Sequence, residues 1–250
     1  MSRRKIFGGS NPMLKEETIY NNSRTASYTG VERMTVAGAV NKTVMLTGIL
    51  LVTAFYGYAN PTPLVVWGGA IAGLIAVLVA SFKPTTSPIA APLYAAFEGL
   101  FVGGISAMYA SSFNGEGSVI IQAVSATICV LMAMLILYKG GVIKVTEKLR
   151  SGIMMATGGI FLMYLLSWVL GMFGINIPHL HTASPIGIGI SLVVIGIAAM
   201  NLLLDFDFFE KGEEAGMPRY MEWFAGMGLL VTLVWLYIEI LRLLTIINRD

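Results

Sequence analysis

Seven uninterrupted apolar runs constrain this chain more than any other feature, and their cores fall at 37–58, 64–82, 89–110, 118–138, 151–173, 184–206 and 223–246. A helix rising 1.5 Å per residue needs about twenty such residues to cross roughly 30 Å of hydrocarbon. Lipid supplies no water to bond the backbone, so an isolated run of this kind crosses only as a helix. The chain therefore reads as an all-α polytopic membrane protein of seven transmembrane helices. Of its 250 residues 56% are hydrophobic and 12% are charged, where a soluble domain carries about 25% charged residues. The breaks between runs carry turn chemistry: NPTP at 60–63, PTTSP at 84–88, NGEG at 114–117, and the stretch 176–185.

Charge sets the expected orientation. Residues 1–35 form a polar leader, and 36–250 the transmembrane domain. Lys and Arg occupy the leader (Arg3, Arg4, Lys5, Lys15, Arg24, Arg33) and alternate connections (Lys83; Lys139, Lys144, Lys148 and Arg150; Lys211 and Arg219). The intervening connections have none. By the positive-inside rule the N-terminus is cytoplasmic and the C-terminus outside. Lys42 and Arg242 lie near span ends, where long basic side chains reach toward headgroups. The basic start lacks a following apolar core, so no cleavable signal peptide is expected. A net charge of +2 confined mostly to connections gives nucleic acid no basic surface. The single cysteine, Cys129, lies in an apolar run and is expected to pack rather than to form a disulfide.

Acids within the spans point to function. Glu98 falls in the third run, Asp205 and Asp207 at the inner end of the sixth, and Glu239 in the seventh. A charge at a helix centre costs about 2.5–3.5 kcal/mol on insertion scales, so such groups face one another or a wet cavity. Two close carboxyls share a proton, and when it leaves they repel and attract a hard cation such as Ca²⁺. Structural readings stand beside this one. Asp207, with Glu210 and Lys211, can be the polar exit of the sixth helix; Glu239 and Arg242, three apart on one face, can neutralise each other; Glu98 can be a structural hydrogen-bonding group. His179 and His181 in the PHLHT loop are titratable, although exposed loop histidines usually have no role. Gly69–Gly73 and Gly99–Gly103 have GxxxG spacing, which allows close helix approach. No HExxH, GxSxG, Walker loop or cysteine–histidine cluster is present, so no enzymatic activity and no cofactor is expected.

The segments LLLDFDFFEKG and MEWFAGMGLLVTLVWLYIEILRLL, with NKT in the first helix and FEGLFVGGIS in the third, resemble the Bax inhibitor (transmembrane Bax inhibitor motif) family, and its bacterial branch of inner-membrane proteins most closely. The resemblance covers roughly residues 35–247. It implies a bundle of six helices around a central seventh. It also implies a pH-sensitive calcium leak, gated by a helix 6 acid that shares a proton with a helix 7 acid. A basic residue after helix 2 would latch the helix 6 acid. The helix 6 acid falls on Asp205 or, with a shifted match, Asp207; the helix 7 acid falls on Glu239, where the family commonly has aspartate; the latch falls on Lys83. A plain hairpin would place Glu239 toward the outer side, so a meeting with Asp205 requires helix 7 to begin in the cytosol, from about Pro218. The expected function is a pH-sensitive cation leak of the bacterial inner membrane, with Ca²⁺ permeant rather than bound as a cofactor. The alternative is a non-transporting membrane regulator whose leader contacts a membrane quality-control protease or a stress-response partner.

Overall fold

The computed structural model describes residues 32–111, 117–174 and 184–248. The leader before residue 32, the 112–116 turn, and His179 and His181 lie outside the described residues. Helix α1 spans Val36–Ala59, α2 Pro63–Phe82, α3 Ser87–Ser111, α4 Ser118–Lys139, α5 Glu147–Met172, α6 Pro185–Glu214 and α7 Tyr220–Ile247. A short 3₁₀ turn, Pro84–Thr86, leads into α3. These seven helices of the described residues are all long and apolar enough to cross a membrane, and the protein is an integral membrane protein.

Local chemistry explains the helix starts. Thr35, Thr62 and Thr146 each accept a hydrogen bond from a backbone N–H three residues on, opening α1, α2 and α5. Such hydroxyls satisfy donors that the helix itself leaves orphaned. Pro63 occupies the first turn of α2, where its missing N–H costs nothing.

The C-terminal end of α6 differs most from its apolar run. Helix α6 continues to Glu214 and α7 begins at Tyr220, just past Pro218. Hydropathy detects only the lipid-facing part of a helix, whereas the DFDFFEKGEE tail of α6 contains good helix formers and no proline. The stop is supplied by Gly216, at φ 63°. Its N–H bonds to Glu213 O at 2.9 Å, and that of Met217 bonds to Gly212 O at 3.0 Å. This is the paired closure of a Schellman motif, which requires a left-handed residue at that position.

The described residues belong to two compact units. The first comprises Met1–Met108 and Asp205–Val231. Within it the two GxxxG pairs are used for packing inside the chain. Gly99 and Gly103 of α3 press on the α1 backbone at Leu50 and Ala54, so that a Cβ on either would collide with a carbonyl oxygen. Gly69 of α2 meets α3 in the same way, where a Cβ would lie 2.7 Å from Phe97 O. Lipid gives no hydrophobic drive for helix association, so this backbone proximity supplies van der Waals contact that larger residues would prevent.

The second unit comprises Tyr109–Leu204 and Thr232–Asp250. In it Asn201 of α6 donates to Thr157 of α5 at 2.8 Å. Helix α5 exposes Met155, Phe161, Leu162, Leu166 and Trp168, an apolar face suited to lipid. Helix α7, which is divided between the two units, has the largest buried share of the described helices. Its fully or nearly fully buried residues include Leu230, Leu236, Ile240 and Leu241.

Candidate functional site

Glu239 is the best-defined intramembrane acid. Its position in α7, 3% exposed, would strand a charge unless partners reached it. Two do so within the second unit. Tyr164 of α5 donates its hydroxyl to Glu239 Oε1 at 2.7 Å. Arg242, one turn along α7, brings Nη2 to 2.8 Å from Oε2, close enough for charge pairing although not aligned as a hydrogen bond. The guanidinium also lies 5.3 Å from the centre of the Tyr164 ring and donates to Ser191 Oγ of α6 at 3.3 Å. Three helices thus converge on one ion pair. Arg242 is the cation of this site, and its planar head meets the carboxylate, an aromatic face and a hydroxyl together.

The α6 acids belong to the first unit. Asp207 is buried, and its Oδ2 pairs with Lys211 Nζ at 2.8 Å across one turn. As the polar exit of the helix, one of its two sequence readings, Asp207 carries a local pair with Lys211, and that pair is largely withdrawn from the surface. Asp205 is half-buried and faces α7, where its Oδ1 would stand 3.9 Å from a Cβ on Gly228. Asp205 and Glu239 fall in different units.

Glu98 is half-buried in α3 and aims at α2: Gly73 makes room for it, since a Cβ there would approach Glu98 Oε2 to 2.9 Å. Among the described residues Glu98 has no ion pair. Lys83, the expected latch, is exposed at the C-terminus of α2 and likewise forms no ion pair among the described residues. Lys211 is seated on one α6 acid, Asp207.

Tyr164 and Ser191 escaped the sequence reading because a lone tyrosine or serine inside an apolar run resembles ordinary membrane-helix composition. The i,i+3 spacing of Glu239 and Arg242 was the available signal, and the structure forms that pair. Glu222 was also missed. It sits 4% exposed in the first turn of α7 and accepts from Thr35 N and Oγ1 at 3.1 and 3.2 Å. An acid in a first turn, favoured by the helix dipole, was the signal for it.

Chemically, these sites hold charge inside an apolar slab and offer oxygen ligands, without a grouping of three or more metal-binding side chains among the described residues. The cleft lined by Ile160, Met163, Ile186, Gly189, Ile190, Val193 and Val194 is apolar throughout and provides no cation ligand. Compared with known proteins, residues 11–249 match the family model described as Bax inhibitor 1 like. No curated protein and no solved structure matches the chain.

Proposed function

The chain belongs to the Bax inhibitor 1-like family, and from that premise we propose that it is a pH-sensitive cation leak, with Ca²⁺ as the permeant ion. The observation that carries this reading is the buried Glu239–Arg242 pair, held by Tyr164 and Ser191 within the last third of the apolar α7. Ionisable groups at such depth are costly, and their usual reason is an ion or proton pathway. The pH response then resides in span carboxyls that exchange a proton for a cation. Glu239 and Asp207 are paired with Arg242 and Lys211; Glu98, aimed at α2 beside Gly73, and the half-buried Asp205 near the end of α6 are the further span carboxyls that can make this exchange. Protonated, they are neutral and the path is shut; deprotonated, they present oxygen ligands suited to a hard cation. On this reading the protein is a conduit rather than an enzyme and holds no cofactor. It resides in a bacterial inner membrane, with the basic helix ends facing the cytoplasm and the C-terminus outside.

Proteoliposomes loaded with a calcium indicator test the proposal. Calcium entry should rise as pH is raised through the carboxyl range, and Glu98→Gln and Asp205→Asn should flatten that response. Glu239→Gln should change the flux by leaving Arg242 uncompensated. Flux without pH dependence, unchanged in all three variants, rejects the reading. The regulatory alternative draws support from one observation: the last residues of the leader are bonded to the α6–α7 connection, with Met34 N–H on Met217 O at 2.7 Å. Deleting residues 1–31 should abolish a phenotype linked to a membrane protease and leave flux intact if that role is separate.

A further inference from the structure

The entry to α1 is tied to the α6–α7 connection more extensively than a loop crossing requires. Arg33 and Pro218 form an antiparallel bridge, closed by Met34 N–H on Met217 O at 2.7 Å and Arg219 N–H on Glu32 O at 2.8 Å. Arg219 also pairs with the Glu32 carboxylate. Met34, 1% exposed, lays its sulfur over Gly212, where a Cβ would come within 2.8 Å of it. Thr35 divides its polar atoms between two helices: its hydroxyl caps α1 at Gly38 N, while its N–H and hydroxyl serve Glu222 of α7. The Glu222 carboxyl occupies the space beside Gly38 that any side chain there would fill. Ser87 Oγ, fully buried, donates to Tyr220 O at 2.9 Å and holds the first residue of α7 from a further direction.

We propose that residues 32–35 and the 216–222 segment form a regulatory latch that fixes the cytoplasmic end of α6 and the start of α7, and that its release raises conduction. The latched arrangement is the resting one. Asp207 is buried and neutralised by Lys211, and Lys211 immediately precedes Gly212, the residue on which Met34 rests. Freeing residues 32–35 removes the Met34 contact and both Thr35 bonds to Glu222. The last turns of α6, which carry Asp205 and Asp207, then lose their anchor. Only the transport consequence rests on the conduction proposed above; the mechanical coupling stands on the contacts alone.

The bridge geometry supplies a test. Arg33 and Pro218 are a non-hydrogen-bonded antiparallel pair, a class with Cα atoms about 4.5 Å apart, within disulfide range. Full-length protein carrying Arg33→Cys and Pro218→Cys, with Cys129→Ser to remove the native thiol, should lock on oxidation and unlock on reduction. Glu222→Ala should release the latch, and Thr35→Val provides a milder release if Glu222→Ala fails to fold. Backbone hydrogen exchange over 205–214 in nanodiscs should quicken about tenfold on release, equivalent to ~1.4 kcal/mol of local opening, and slow when the disulfide is oxidised. Calcium flux should follow in the same direction. Equal exchange over 205–214 in released, native and locked protein overturns the latch. Exchange that responds while no variant conducts leaves the latch standing and removes the proposed conduction.

Discussion

Replacing Arg242 by methionine tests the buried pair on which the functional reading rests. The two heads stand 2.8 Å apart, with side chains 12% and 4% exposed. At an effective dielectric constant of ~20, that separation corresponds to about 6 kcal/mol of gross attraction. Desolvation costs several kcal/mol per ion, so the pair as a whole lies near balance against an apolar replacement of both partners. Removing one partner is different, because it strands the other and costs ~3–5 kcal/mol. Tyr164 still donates to Glu239 Oε1, which places Arg242→Met near the lower end, at about 3 kcal/mol. Glu239→Gln keeps an acceptor for Tyr164 but strands Arg242, at a similar cost. The double variant strands no charge and should cost no more than either single variant, so the coupling between the two sites should be at least about 3 kcal/mol. Equilibrium unfolding in mixed micelles of mild and denaturing detergent measures all three. Strict additivity, or an Arg242→Met variant within ~0.5 kcal/mol of the native protein, would refute the reasoning.

Other expectations follow from single contacts. Tyr164→Phe removes the hydroxyl from Glu239 and should cost about 1.5–3 kcal/mol, the range for a bond to a charged group, in the same unfolding assay. Gly103→Val drives a side chain into the α1 backbone at Ala54; it should lower stability by at least ~1–3 kcal/mol, seen as an earlier thermal transition in detergent. Asn201→Leu breaks the bond to Thr157 and should cost only about 0.6 kcal/mol, because the unfolded helix in lipid finds other partners for its amide.

The number and nature of the helices were legible because a bilayer imposes one length and one composition on whatever crosses it. The expected core 64–82 and the observed Pro63–Phe82 almost coincide for that reason. The polar ends were not legible in the same way. The DFDFFEKGEE tail of α6 to Glu214 is polar, so hydropathy carries no signal there and capping decides the boundary instead. At the site, Glu239 with Arg242 could be read from spacing along one helix. Tyr164 and Ser191 could not, since their roles arise from α5 and α6 lying beside α7. The assignment of Lys83 illustrates the same limit. Its place after α2 was visible, but the lysine seated on Asp207 is Lys211, on the same helix.

The glycine contacts of α3 also bear on how the protein is made. Of the seven spans α3, with its leading turn, is the least apolar, and it carries Pro92 and Glu98. Its surface is shaped to receive α1 at Gly99 and Gly103, and α2 at the position opposite Gly69. During synthesis α1 and α2 emerge first and can be waiting in the lipid as a preformed seat. The third helix then leaves the translocon by moving onto protein rather than into open bilayer, so weakening that seat should appear as failed insertion before it appears as a loss of transport.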